Sequence, residues 1–380
     1  MQGETVMEAL ILSCSTGGGH NAAGNAIREE LVRRGHQVKV LDPYALVSKG
    51  LAKRIGGIYI GIAQRAPRLF GFIYLLGEGY RRLPFQSPVY FANRKIALLL
   101  GQYLKEHPVD VIVMPHLFPA EVITYMKRSG MLVPKTVFIA TDYACIPFTE
   151  ETDCDYYVIP GKELIPEFCG RGIPEHKLLP AGIPVSASFL EDIPKEQAKL
   201  LLGLSPEKHY ILVSGGSIGA GNLEQTIRLL CEYTEHQEKA ECIVICGNNK
   251  RLYRKLERKA KKVRGLHILK STKKMHLYMK ACDVFLSKPG GLSSTEAAAA
   301  GVSLIHISPI PGCETANRRF FEKHHMCIAV RDERRQLIPA IRDIKKTAVR
   351  NEMRKAQKTY VNGRAGMDIC DWLEKWVSGQ

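Results

Sequence analysis

Four short glycine-bearing loops hold the residue types that could do chemistry in this chain. In Ser15-Thr16-Gly17-Gly18-Gly19-His20, three glycines admit close approach of another molecule, and the helix start that follows favours an anion. A histidine there can take a proton from an incoming hydroxyl. The GxGxxG spacing is absent and no acidic residue is placed to hold a ribose, which excludes the dinucleotide fingerprint. The plain alternative is an incidental histidine in a tight turn. In Gly215-Gly216-Ser217-Ile218-Gly219-Ala220, glycines and a hydroxyl at a helix start suit a phosphate cradle, although any tight strand-to-helix turn looks similar.

The third loop runs from Ser287 to Glu296, SKPGGLSSTE. Pro289, Gly290 and Gly291 turn amides toward a pyrophosphate, and Ser293 and Ser294 add hydroxyls. Glu296, in the first helical turn, can accept bonds from ribose hydroxyls or simply serve as a helix N-terminal charge. In the fourth loop, Ser308 to Asn317, Gly312 precedes a helix that carries Glu314 and Asn317. At i, i+3 they share a face and can hold two sugar hydroxyls. Asp142 ends the apolar run TVFIATDY, where it either points into a cleft or serves as a structural aspartate. No metal-ligand cluster, Walker lysine motif or Ser–His–Asp spacing stands out.

These loops need strands before them and helices after them, and the apolar pattern supplies both. EALILSCS, HQVKVLDPY, DVIVMPH, TVFIATDY and DYYVIPG read as strands alternating with helical segments. Residues 180–206 are Pro-rich and turn-rich, after which YILVSGGS, ECIVICG, LHILK, CDVFLSKPG, SLIHISP and MCIAV restart the alternation. The expected architecture is α/β: two Rossmann-like, doubly wound parallel-sheet domains facing an interdomain cleft. The expected boundaries are 1–185, a linker over 186–206, a second domain over 207–350, and a helical segment over 351–380 that packs back on the first.

A chain of 380 residues suits two domains. Its 11 cysteines form no CxxC pair, which suits reduced thiols, and the N-terminus lacks a signal-peptide pattern. The net charge of +16 calls for an anionic counterpart. Residues 49–95 carry Lys49, Lys53, Arg54, Arg65, Arg68, Arg81, Arg82, Arg94 and Lys95 against Glu78, interleaved with IGGIYIGIAQ and LFGFIYLLG. Those apolar runs are far short of the roughly 20 residues that span a bilayer, and instead suit a surface dipping into headgroups. Buried helices with a basic rim are the alternative. In KRLYRKLERKAKKVRG, Leu252, Leu256, Ala260 and Val263 fall at helical spacing, which puts the charge on a solvated face. No RRM, KH or helix-turn-helix signature appears, so nucleic acid is not expected as a partner.

STGGGH, GGSIGA and SKPGGLSSTEAAAAGVSLIHISPIPGCETANRRFF together resemble family 28 glycosyltransferases, most of all the monogalactosyldiacylglycerol synthases and processive diacylglycerol glucosyltransferases. The resemblance covers roughly residues 7–360. It implies a GT-B fold, with acceptor and membrane binding in the first domain and a UDP-sugar in the second. It also implies an inverting transfer of glucose or galactose from UDP-glucose or UDP-galactose to diacylglycerol, at the cytoplasmic face of a membrane with anionic lipids. By resemblance His20 is the base on the acceptor hydroxyl, with Asp142 the next candidate. Gly290, Gly291 and Ser293 line the diphosphate, and Glu296 or Glu314 holds ribose and sugar. Gly19, Thr272 and Met275 complete the expected donor contacts, and no metal or other cofactor is expected. Two departures stand out. Lipid-II-forming relatives usually have a Gln pair where this chain has Ala316 and Asn317. Relatives often carry a His and a Trp where it has Cys145-Ile146-Pro147-Phe148. The competing readings are N-acetylglucosamine transfer to a polyprenyl-linked acceptor and non-hydrolysing UDP-sugar epimerisation.

Overall fold

The computed structural model describes residues 6–14, 18–80, 93–217, 219 and 223–379. The chain forms two units: Met1–Ile62, Leu69–Ser186 and Arg364–Gln380 in the first, Ala63–Arg68 and Ala187–Gly363 in the second.

In the first unit β1 (Glu8–Leu12), β2 (Gln37–Leu41), β3 (Val111–Met114), β4 (Lys135–Ile139), β5 (Tyr156–Val158) and β6 (Leu178–Leu179) form a parallel sheet in the order β2-β1-β3-β4-β5-β6. β1, β3 and β4 are near-continuous apolar runs because helices cover both faces of a parallel sheet. Ile11 pairs in register with Val40 on one side and Val113 on the other. Strand order reverses at β1, so the loops after β1 and β3 flank the switch point where such sheets bind ligands. α1 (Gly18–Arg33) starts there. Gly24 lets it press close, since a Cβ would stand 3.1 Å from Ile11 Cγ2 and 3.3 Å from Pro115 Cγ. Among the described residues the further helices are α2 (Tyr44–Val47), α3 (Lys49–Arg65), α4 (Pro67–Tyr80), α5 (Arg94–Glu106), α6 (Leu117–Arg128) and α7 (Ile165–Gly170).

The C-terminal helix (Ala365–Ser378) closes this unit's core. Ile369, Cys370 and Leu373 pack with Ile27 and Leu31 of α1 over β1, β3 and β4. Burying an Ile or Leu contributes about 1.5–3 kcal/mol. At the rim, Arg34 meets Glu374 at 2.9 Å, and Tyr156 stands edge-on to Trp372 and Trp376 at 4.8 and 5.1 Å.

In the second unit β7 (His209–Ser214), β8 (Ala240–Ile245), β9 (Leu266–Leu269), β10 (Val284–Ser287), β11 (Ser303–His306) and β12 (Ile328–Ala329) run in the order β12-β11-β10-β7-β8-β9, all parallel. Here the order reverses between β7 and β10. Its helices are α8 (Lys195–Leu201), α9 (Leu223–Glu235), α10 (Lys250–Ala260), α11 (Met275–Ala281), α12 (Gly291–Ala300), α13 (Cys313–Lys323), α14 (Glu333–Ile344) and α15 (Thr347–Tyr360). On α10, Leu252 and Leu256 face inward while Lys250, Arg251, Arg254, Lys255 and Arg258 are exposed.

Residues 187–206 fold with this unit, while Ser186 stays with the first. α8 packs on α11, Lys195 Nζ meets Asp283 at 2.8 Å, and Lys199 Nζ donates to the carbonyls of Pro206 and Lys208 at 2.8 Å. The C-terminal segment is likewise divided. α15 stays with the second unit, and the chain returns to the first after Gly363, where a Cβ would crowd Leu190 Cδ2 at 2.7 Å.

Candidate active site

In the first unit the structure gathers His20, Thr141 and Asp142 around the end of β3. Ser15, Thr16 and Gly17 lie outside the described residues; Gly19 and His20 are in the first turn of α1. His20 Nδ1 lies 2.9 Å from the carbonyl of Pro115 and 2.8 Å from Thr141 Oγ1. A carbonyl only accepts, so Nδ1 must carry the proton. The neutral ring therefore keeps its lone pair on Nε2, the atom a general base uses. Burial lowers the His20 pKa, opposed by the charge of Asp142 and by the bond to Pro115.

His116, which the sequence reading missed, stands beside it with ring centroids 4.4 Å apart. It caps α6 by accepting from the Phe118 amide at 3.0 Å through Nδ1. Burial first, and His20 second, hold its pKa well below the ordinary value, so it stays neutral. Its only sequence signal is its place at the end of the strand DVIVMPH.

His20, Pro115, Thr141, Asp142, Ile146 and Thr149 line a small pocket with Phe138 and Phe168. Its 145–149 rim is held in an unusual shape, because Phe148 adopts a left-handed backbone at φ 71°, a conformation that costs about 1–3 kcal/mol outside glycine. Phe148 backs onto α4: a Cβ at Gly77 would stand 3.1 Å from its ring, and the Tyr80 ring is 6.3 Å away. Glu78 ties α4 to Arg171 at 3.0 Å. The outer side of α4 is apolar, with Phe72 57% and Leu75 67% exposed, and Ile58 of α3 is exposed as well. Arg81 and Arg82 lie outside the described residues, as do the side chains of Arg65, Arg68 and Phe70. Among the described residues no helix is long and apolar enough to cross a membrane.

In the second unit the loops after β7, β10 and β11 converge at the switch point. Gly216 and Gly219 have φ of 71° and 58°. Their loop interlocks with residues 246–249: Asn248 N donates to Ser217 O at 2.8 Å, Asn249 Nδ2 donates to Gly219 O at 2.9 Å, and a Cβ on Gly219 would overlap the Cys246 carbonyl. Ile218 and Ala220 lie outside the described residues. Gly290 caps α12, and Gly291 and half-buried Ser293 open its first turn. Gly312, at φ 120°, precedes α13. Thr272 Oγ1 accepts from Lys274 N at 2.9 Å in the turn before Met275, the first residue of α11.

Glu296 is half-buried with no hydrogen-bond partner among the described residues. Burial pushes its carboxyl up to about 8.

Three of the expected ligand contacts are hydrogen-bonded within the protein. Ser294 is fully buried, and its Oγ lies 2.9 Å from His306 Nε2, which joins β11 to α12. Asn317 is fully buried and donates to Pro289 O at 3.0 Å, which shapes the loop after β10. Glu314 is 6% exposed; one oxygen pairs with Lys288, and the other accepts from Ile310 N at 2.8 Å. Lys288 was overlooked although it stands inside the SKPGG motif. Among the described residues no group of three or more His, Cys, Asp or Glu is placed to hold a metal ion.

Two six-stranded parallel sheets with glycine loops at their switch points define the GT-B fold. Residues 20–185 match the model for monogalactosyldiacylglycerol (MGDG) synthase, and residues 210–366 match the glycosyltransferase family 28 C-terminal domain. The chain belongs to glycosyltransferase family 28. It is 27% identical over 332 residues to a processive diacylglycerol beta-glucosyltransferase of Bacillus subtilis (strain 168), covering 86% of this chain and 84% of the relative. In fold it is similar to the MurG crystal structure from Acinetobacter baumannii (TM-score 0.62, 14% identity, 97% and 99% coverage). It is equally similar to a UDP-GlcNAc 2-epimerase from Neisseria meningitidis (TM-score 0.63, 14% identity, 97% and 100% coverage). Fold alone therefore does not separate transferase from epimerase; the family match does.

Proposed function

We propose that this glycosyltransferase moves glucose from UDP-glucose to the free hydroxyl of diacylglycerol, with inversion, at the cytoplasmic face of a membrane rich in anionic lipids. The observation that carries the reading is the shared 145–149 loop. One side of it lines the pocket of His20, and the other supports an exposed apolar helix, so a lipid met by α4 is near the base. The B. subtilis relative's name supplies the acceptor and makes glucose the favoured hexose over galactose. Eleven cysteines with no CxxC pair suit the reducing side of the membrane.

In this mechanism the diacylglycerol hydroxyl gives its proton to His20 Nε2 as its oxygen attacks the anomeric carbon. The bond from that carbon to the diphosphate breaks on the opposite face, and UDP departs with the electron pair. An α-linked donor gives a β-glycoside. The amides of Gly215, Ser217, Gly291 and Ser293 are assigned to the phosphates, while those of Gly216, Gly219 and Gly290 donate to Ser214 Oγ, Gly216 O and Lys288 O and shape the loops. Glu296 holds the ribose, and Thr272, Met275 and Gly312 remain donor contacts. Fixed dipoles offset the developing charge, so the reaction requires no metal or other cofactor.

The test is a transfer assay with radiolabelled UDP-glucose and UDP-galactose, diacylglycerol vesicles and acceptor-free controls. Label should enter the lipid phase from UDP-glucose only when diacylglycerol is present. Label entering from UDP-galactose alone would reassign the hexose. No lipid-phase label from either donor, with an epimerised nucleotide sugar recovered, would sink the transfer reading.

A further inference from the structure

We propose that Lys288 is the cation that receives the donor's diphosphate, and that Glu314 holds it in waiting until the donor arrives. The inference rests on the UDP-sugar reading above. β10 and β7 pair with Ser287 beside Ser214, so Lys288 and Gly215 leave the sheet side by side at the switch point. The lysine stem crosses the first glycine loop: a Cβ on Gly216 would stand 3.1 Å from Lys288 Cε and 3.8 Å from its Nζ. A Cβ on Gly290, at the start of α12, would also stand 3.8 Å from that Nζ. One ammonium thus sits over both glycine surfaces that suit a pyrophosphate, where a larger residue would displace it or the phosphate.

Its partner explains why the charge stays there. The Lys288 and Glu314 side chains are 12% and 8% exposed, and Glu314 is fixed by the Ile310 amide on its other oxygen. A buried ion pair is a weak source of net stability, because desolvation offsets the attraction, so this one calls for another role. An ammonium on a flexible stem has three donors and can turn from one acceptor to another without losing its charge. A diphosphate offers more negative charge than one carboxylate and captures it. When the bond to the sugar breaks, charge grows on the phosphate oxygen, and the ammonium is already beside it.

A purely structural pair would instead only tie α13 to the β10 loop. Calorimetry with UDP and with uridine, which lacks phosphates, separates the two roles. Lys288→Met keeps the stem and removes the charge. It should weaken UDP by roughly 10- to 100-fold, the span of a charge-assisted hydrogen bond, and leave uridine affinity unchanged. Lys288→Arg should recover part of the loss. Glu314→Gln should tighten UDP by removing the competing carboxylate, and the double variant Lys288→Met, Glu314→Gln should bind like Lys288→Met. Thermal melts of each variant confirm folding. Wild-type affinity for UDP in Lys288→Met, or equal losses for UDP and uridine, would overturn the role of Lys288. Wild-type protein that fails to bind UDP would remove the donor reading itself, and this inference with it.

Discussion

His20→Ala should lower turnover by about two to four orders of magnitude, the usual worth of a positioned base. At 1.36 kcal/mol per tenfold, that is about 2.7–5.4 kcal/mol of barrier. The geometry says why the loss should be large. Pro115 O at 2.9 Å commits Nδ1 to carrying the proton, so every neutral ring presents a lone pair on Nε2 and none is spent on the wrong tautomer. The same geometry makes Thr141→Val a mild change: the hydroxyl 2.8 Å from Nδ1 is lost, but Pro115 still sets the tautomer, so turnover should fall less than about tenfold. The assay is initial-rate transfer to diacylglycerol vesicles at saturating donor, paired with calorimetry of UDP. UDP affinity should hold near wild type in both variants, because the glycine loops assigned to the diphosphate belong to the second unit. A His20→Ala enzyme that keeps more than a tenth of wild-type turnover would refute the base assignment, and Asp142 would be examined next.

Other consequences can be checked with single variants. Asp142 raises the His20 pKa, so Asp142→Asn should move the acid limb of kcat/KM to lower pH: the neutral base persists further down, and activity is lost only as pH falls through the new value. An unmoved or raised limb would contradict this. Phe72→Ser with Leu75→Ser removes two exposed apolar side chains worth about 1.5–3 kcal/mol each on insertion, so vesicle flotation at high salt should drop by about tenfold or more. Unchanged flotation would mean that α4 does not meet lipid. Glu296→Ala should weaken UDP and UDP-glucose by the same factor; a loss confined to UDP-glucose would move Glu296 from ribose to hexose. Gly219→Ala should lower stability by about 1–3 kcal/mol or more, since the backbone is left-handed and the Cβ meets Cys246, and a denaturant melt matching wild type would count against that loop geometry.

The sheets were legible because parallel strands buried on both faces are apolar along nearly their whole length, as in EALIL and VIVM. The glycine loops followed, since they had to sit at the ends of those strands. What the pattern lacked was the pairing of distant side chains. His116 and His20 are 96 positions apart in sequence, and only the strand order brings β1 beside β3. The bonds of Ser294 to His306 and of Asn317 to Pro289 likewise join residues 12 and 28 positions apart, which no local pattern shows. Lys288 was overlooked for a related reason: its partner Glu314 belongs to another loop, and neither residue alone shows an ion pair. The turn-rich composition of 186–206 reads as a linker, and from Ala187 onward the chain folds with the second unit, where Lys195 pairs with Asp283.

The most direct test of the account is the anomeric configuration of the lipid product. Purified enzyme, α-linked UDP-glucose and diacylglycerol vesicles are incubated for less than one turnover, and the extracted glycolipid is read by proton NMR, with His20→Ala run in parallel. The account predicts a β-glucosyl diacylglycerol from wild type and almost none from the variant. An α-linked product, or equal β-product from both proteins, would contradict it.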